Sequence, residues 1–159
     1  MFNIVTHSAL ETQKLGTIIS KLLQANDIVL LYGTLGVGKS ELTRGIAEAL
    51  QIKSHLPSPT FTIMNTYEDV PIPLYHFDLY RIHDIEELYA IGLDEFIYSD
   101  GIAVIEWPEN CPELAEESAH ISIQIEYTDN DAYRNITIET KNNFRSSFLE
   151  RLKNEYFSI

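Results

Sequence analysis

The sequence predicts an α/β protein with three layers, in which a mixed, mainly parallel central sheet carries an antiparallel hairpin. Three observations predict it. Ile28-Val-Leu-Leu-Tyr32 is a continuous apolar run, the pattern of a strand buried on both faces. Helix-period and strand-period segments alternate along the chain. Two strand-like runs separated by a turn-rich stretch form the hairpin.

Phe2 to Val5 reads as a short edge strand. Ser8-Ala-Leu-Glu11 is a capping box that opens a helix over residues 8–24, with Leu10, Leu15, Ile18, Ile19, Leu22 and Leu23 as its apolar stripe. Asn26-Asp27 ends that helix before the Ile28–Tyr32 strand. A glycine-rich turn follows, and Lys39 to Leu50 reads as the next helix. His55 to Thr60, with two prolines, is loop. Phe61–Tyr67 and Leu74–Tyr80 are the hairpin strands, turning through Glu68 to Pro73. Asp84 to Ala90 is a short helix with Gly92 near its end. Ile102–Ile105 is a second buried strand, and strands at about 120–127 and 133–140 precede a last helix from about Asn143 to Tyr156.

Composition narrows the function. The 159 residues fit one domain, 1–159, and 45% apolar residues suffice for a core. Lys and Arg number 11 against 24 Asp and Glu, a net charge of −13. A surface so poor in cations does not displace counterions from a nucleic-acid backbone, so autonomous DNA or RNA binding is excluded. Cys111 is the only cysteine, which rules out an internal disulfide, a zinc ribbon and a CxxC redox site. Met1 to Leu10 has no signal-peptide pattern, and no apolar run reaches the roughly 18 residues of a membrane span. A cytoplasmic protein is expected.

The chemistry concentrates in Gly33-Thr-Leu-Gly36-Val37-Gly38-Lys39-Ser40, a full G-x-x-x-x-G-K-[ST] match between a buried strand and a helix. Glycines let consecutive amides curl around phosphate oxygens, and the helix N-terminus faces the same anion. Lys39 supplies a charge at the β- and γ-phosphates, and the Ser40 hydroxyl a ligand for Mg²⁺. The motif and its flanks predict the P-loop NTPase form of the three-layer architecture.

A second metal arm is expected at the carboxyl end of another buried strand, which Glu106 occupies after Ile102-Ala-Val-Ile105. Trp107 either stacks on a nucleotide base, covers the site, or serves as core. Strand alternation puts His76, Asp78 and Tyr80 on one face. Asp78 either lies near the γ-phosphate, orienting a water or holding the metal's outer shell, or is neutralised by Arg81, and His76 makes a structural hydrogen bond. Thr60 in Ser58-Pro59-Thr60-Phe61 stands where a switch segment would contact the γ-phosphate or the metal.

The phosphate loop, Ser58-Pro59-Thr60-Phe61, His76-Phe-Asp-Leu-Tyr-Arg81, Glu87-Leu-Tyr-Ala-Ile-Gly-Leu-Asp-Glu95 and Val104-Ile-Glu-Trp107 follow one another in the order and spacing of the bacterial TsaE (YjeE) family. The chain resembles that family best over about 8–108. The resemblance implies a small ATPase required for the threonylcarbamoyl modification of adenosine 37 in tRNAs that read ANN codons. It implies ATP/ADP and Mg²⁺ as cofactors, and TsaD and TsaB as protein partners, with tRNA met only through that complex. It also implies that residues Gly36 to Glu41 hold the phosphates, with Ser40 and Glu106 on magnesium. Asp78 would support hydrolysis, Thr60 would be the switch residue and Trp107 would lie near the nucleotide.

Thr34, Val37 and Glu41 depart from the family's usual loop. A carboxylate at Glu41 opposes anion binding unless its side chain turns outward. A small-molecule kinase using the same loop is the alternative, but the five arginines form no lid-like cluster. A GTP switch would show an Asn/Thr-Lys-x-Asp segment, which is missing from the sequence.

Overall fold

The computed structural model describes residues 1–53 and 56–158. Its elements are β1 (Phe2–Thr6), α1 (Ala9–Leu22), β2 (Ile28–Tyr32), α2 (Lys39–Ala49), β3 (Met64–Tyr67), β4 (Leu74–Asp78), α3 (Ile85–Ala90), α4 (Asp94–Ile97), β5 (Ile102–Glu106), a 3-10 turn at Pro108–Asn110, α5 (Pro112–Glu117), β6 (His120–Tyr127), β7 (Arg134–Lys141) and α6 (Phe148–Phe157). The strands form one sheet in the order β1-β7-β6-β2-β5-β4-β3. Its centre is parallel: β2 pairs in parallel with β5 and β6, and β4 in parallel with β5. The outer pairs β3–β4, β6–β7 and β1–β7 are antiparallel. The mixed α/β architecture expected from the sequence is therefore observed, with β1 at an edge.

Alternate residues of the central strands feed opposite layers. Val29, Leu31, Val104 and Ile123 face a cluster with apolar residues of α1, α2 and α6. Leu30, Phe77, Ala103 and Ile105 face a smaller cluster with α3, α4 and α5. Burial on both faces is why β2 and β5 read as unbroken apolar runs. At the start of β2, Asp27 accepts two 2.7 Å bonds from the Arg145 guanidinium, tying that turn to the segment before α6.

Helices α1 and α2 approach to backbone contact. A Cβ at Gly45 would lie 1.9 Å from the Gln13 carbonyl oxygen, and one at Gly16 would lie 2.2 Å from that of Leu42. Two glycines on facing turns permit this, and no side chain separates the helices there.

Several boundaries differ from the sequence expectation. The Ser8 hydroxyl caps the Glu11 amide at 3.1 Å, but the Glu11 carboxylate returns to the His7 amide instead of Ser8, and Leu10 is exposed. β3 starts at Met64 rather than Phe61, because Ile63 takes a left-handed conformation (φ 67°) and its amide closes a turn onto the Pro59 carbonyl. β4 ends at Asp78. The last helix starts at Phe148, since Asn142 and Asn143 both have positive φ. The loop expected from His55 is described from Leu56; His55 lies outside the described residues. Among the described residues no helix is long and apolar enough to cross a membrane.

Candidate active site

The site forms at the carboxyl edge of β2, β5 and β4, on the face covered by α2. β2 ends at Tyr32 and α2 begins at Lys39, so the loop of residues 33–38 must reverse over the sheet edge. Gly38 caps α2 at φ 122°, a conformation L side chains rarely adopt, and no side chain caps the helix. The first amides of α2 therefore have no side-chain acceptor and remain available to a ligand. Gly33 admits no side chain, since its Cβ would meet Val37 Cγ1 at 2.7 Å and the Ile125 oxygen at 2.9 Å.

A cleft of about 230 Å³ collects Lys39, Ser40, Thr60, Asp78, Glu106 and Trp107 around this loop. The Lys39 ammonium donates to the Gly33 carbonyl at 2.7 Å and lies 4.1 Å from the centre of the Trp107 ring. Burial pushes Lys39 below its ordinary value, against the opposing pull of Glu106, Asp78 and Glu109. Trp107 is half-buried, has φ 56°, and rests against Tyr80 with ring centres 5.0 Å apart.

Two carboxylates sit side by side because β4 and β5 pair in parallel with Asp78 opposite Glu106. Both are buried, so each needs partners. Asp78 Oδ2 accepts from the Thr60 hydroxyl at 3.0 Å and Oδ1 from the Tyr80 amide at 2.9 Å. Glu106 Oε2 accepts from His76 Nε2 at 2.7 Å.

Most residues singled out in the sequence converge here, with four qualifications. Tyr80 does not share the face of His76 and Asp78, since the strand ends at Asp78 and Tyr80 is exposed in the following turn. Arg81 does not neutralise Asp78; its guanidinium lies 4.7 Å from the centre of the Phe61 ring. Glu41 turns away from the loop, accepting from Gln13 Nε2 and from Arg44 Nη1 at 2.6 Å. Burial alone would raise its pKa, but these two bonds hold the carboxyl below the ordinary value. Val37 sends its side chain into the core and its amide to the Thr34 carbonyl at 3.2 Å.

Two residues overlooked in the sequence hold the loop from outside. Arg134 Nε donates to the Val37 carbonyl at 2.6 Å, and the Tyr127 hydroxyl to the Leu35 carbonyl at 3.3 Å. The guanidinium lies 4.5 Å from the centre of the Tyr127 ring, so the pair acts as one brace. They stand more than ninety residues from the loop, and only the pairing of β6 with β2 brings them there. Arg134 also borders a second cleft of about 380 Å³ beyond the loop, with His7, Ser8 and Asp131.

The parallel centre, the edge location of the cleft and the strand–glycine loop–helix unit define an α/β protein of the phosphate-loop class. The chain belongs to the TsaE family, whose model, described as threonylcarbamoyl adenosine biosynthesis protein TsaE, matches residues 6–136. It is 38% identical over 122 residues to the tRNA threonylcarbamoyladenosine biosynthesis protein TsaE of Treponema pallidum, covering 76% of this chain and 90% of that one. The protein of the same name from Haemophilus influenzae is 36% identical over 143 residues, 89% of each chain. The crystal structure of YdiB from Bacillus subtilis superposes with a TM-score of 0.79 at 30% identity, covering 98% of this chain and 95% of that one.

Proposed function

We propose that this protein binds and hydrolyses ATP in support of tRNA N6-threonylcarbamoyladenosine formation, acting on a complex of TsaD and TsaB. The names of its relatives support the pathway. The observation that carries the ATPase reading is the convergence of Lys39, Ser40, Asp78 and Glu106 on one cleft at the mouth of the glycine loop.

In this reading the loop amides and the start of α2 bind the phosphate tail. Lys39 leaves the Gly33 carbonyl and the Trp107 ring to meet the β- and γ-phosphates. Trp107 lines the same cleft as Lys39 and Ser40, and the neighbouring cleft beside His7, Ser8 and Arg134 would have room for the adenosine. The metal donors fit Mg²⁺: a hydroxyl and a carboxylate, both hard oxygen ligands, in one cleft. Among the described residues no group of three or more His, Cys, Asp or Glu could hold a metal by itself. Ser40 and Glu106 would hold the ion together with phosphate and water. Bound there, Mg²⁺ would neutralise charge on the phosphates. Asp78, held by Thr60, orients the attacking water.

Exposed Leu35 lines the cleft, exposed Tyr80 rests against its Trp107 and exposed Phe61 follows Thr60 in the chain, apolar surface of the kind a protein partner covers. We therefore expect slow hydrolysis by the isolated protein and marked stimulation by TsaD with TsaB. The test is phosphate release with and without those proteins. No hydrolysis in either arm, or rapid phosphate transfer to a metabolite, would overturn the reading.

A further inference from the structure

The buried His76–Glu106 pair does something the cleft requires and its other residues do not supply. His76 is 2% exposed and Glu106 4%. A carboxylate only accepts, so the 2.7 Å contact is a donation from His76 Nε2–H to Glu106 Oε2. The other ring nitrogen, Nδ1, is buried with no partner among the described residues. A histidine that merely filled space would be better replaced by an apolar side chain, which leaves no nitrogen unpaired. Among the described residues the ring's one polar contact is with Glu106.

Glu106 depends on that contact in turn. Glu106 lines the cleft, and its Oε1 makes no hydrogen bond with the described residues, which leaves that oxygen free for a cation there. Lys39 borders the same cleft, and its ammonium feels the Glu106 charge. The two form no ion pair among the described residues. Among the described residues no hydrogen bond other than that of His76 holds the carboxylate, so without it the carboxylate is free to turn onto the ammonium and withdraw both from a ligand. Asp78 differs, since Thr60 on the neighbouring loop holds one of its oxygens.

We infer that His76 is a positioning residue that fixes the Glu106 carboxylate, holding one oxygen so that the other faces a cation and keeping Glu106 off Lys39. This rests on the reading of the cleft as an Mg²⁺–nucleotide site. Outer partners of this kind orient metal-binding groups, and their loss costs about tenfold or more in metal affinity.

The test compares the full-length parent with His76→Phe, which fills the volume without a donor, and with His76→Gln, whose amide nitrogen reaches the position of Nε2. Calorimetry measures ATP affinity in EDTA and in Mg²⁺, and a thermal transition in EDTA reports folding. The gain in affinity produced by Mg²⁺ is expected to fall about tenfold in the Phe variant. In the Gln variant it is expected to stay within about threefold of the parent. A merely structural histidine would lower the transition temperature and leave that gain unchanged, which would overturn the inference. Equal losses in Phe and Gln would overturn it too. If the Phe variant shows no folding transition, His76→Asn, whose amide is too short for Glu106, replaces it and must show the same loss. A parent that binds ATP with no gain from Mg²⁺ would bring down the reading of the site and this inference together. A parent with the gain, matched by the Phe variant, would bring down the inference alone.

Discussion

The Lys39 ammonium rests 4.1 Å from the centre of the Trp107 ring while donating to the Gly33 carbonyl. The charge that the proposed function assigns to phosphate is thus held by an aromatic face and a main-chain oxygen. Trp107 is the only tryptophan in the chain, so its fluorescence reports on one place. Adding ATP should draw the ammonium off the ring and change the emission. Replacing Lys39 with Ala should abolish most of that change and weaken ATP binding by about 3 kcal/mol, roughly a hundredfold. Calorimetry checks the affinity; binding equal to the parent would sink the loop assignment.

Among the described residues the Thr60 hydroxyl bonds Asp78 and Ser58 and no amide of the glycine loop, so its contribution should fall on turnover. Thr60→Val keeps the shape and removes the hydroxyl. Hydrolysis stimulated by TsaD and TsaB should drop at least tenfold, with ATP affinity within about threefold of the parent, as for a group positioning a catalytic carboxylate. A phosphate-release assay beside calorimetry separates the two.

Arg134 braces the loop through the Val37 carbonyl and the Tyr127 ring. Arg134→Ala should leave the carbonyl to water and loosen the loop. ATP affinity should fall by about 1–2 kcal/mol, with a small change in unfolding midpoint. A purely structural arginine would reverse that ranking.

Gly45→Ala is expected to be the most damaging small substitution. The added methyl meets main chain of α1, not a flexible side chain that could move aside. Overpacking of that kind costs about 3 kcal/mol, measurable by urea denaturation. Parent-like stability would mean that the helices do not cross as closely as described.

Acid should destabilise the fold partly through His120. It is buried, and burial holds its pKa below the ordinary imidazole value of 6.5. The unfolded chain therefore takes up this proton at a higher pH than the native one. Stability is full above pH 6.5 and declines as pH falls from there towards the lower native value. His120→Gln should flatten that decline, visible as a smaller shift in denaturation midpoint between pH 7 and pH 5.5. Identical pH profiles would refute it.

The sequence was most informative where local rules act alone. β2, the glycine loop and the start of α2 lie within a few residues of their expected limits, because apolar run, glycine spacing and helix period are all local signals. It failed where a turn overrides composition and where distant pairing decides. Phe61 to Ile63 has the composition of a strand, yet the left-handed Ile63 and its bond to Pro59 make a turn of it. Glu106 was legible as a strand-end carboxylate, but its tie to His76 was not, since two strands thirty residues apart must pair before they meet. The Arg134 and Tyr127 brace left no local trace. The short α4, α5 and 3-10 turn, each six residues or fewer, are too brief for periodicity to mark.

The close seating of α2 on α1 has a mechanical corollary. Lys39 and Ser40 begin a helix whose main chain abuts another's, leaving no compressible side-chain layer at the crossing. Under the proposed function this gives the phosphates a fixed floor, like an anvil. A difference between a spent nucleotide and a fresh one would then fall to the opposite wall, where Thr60 grips Asp78 through a single hydroxyl beside the exposed Phe61.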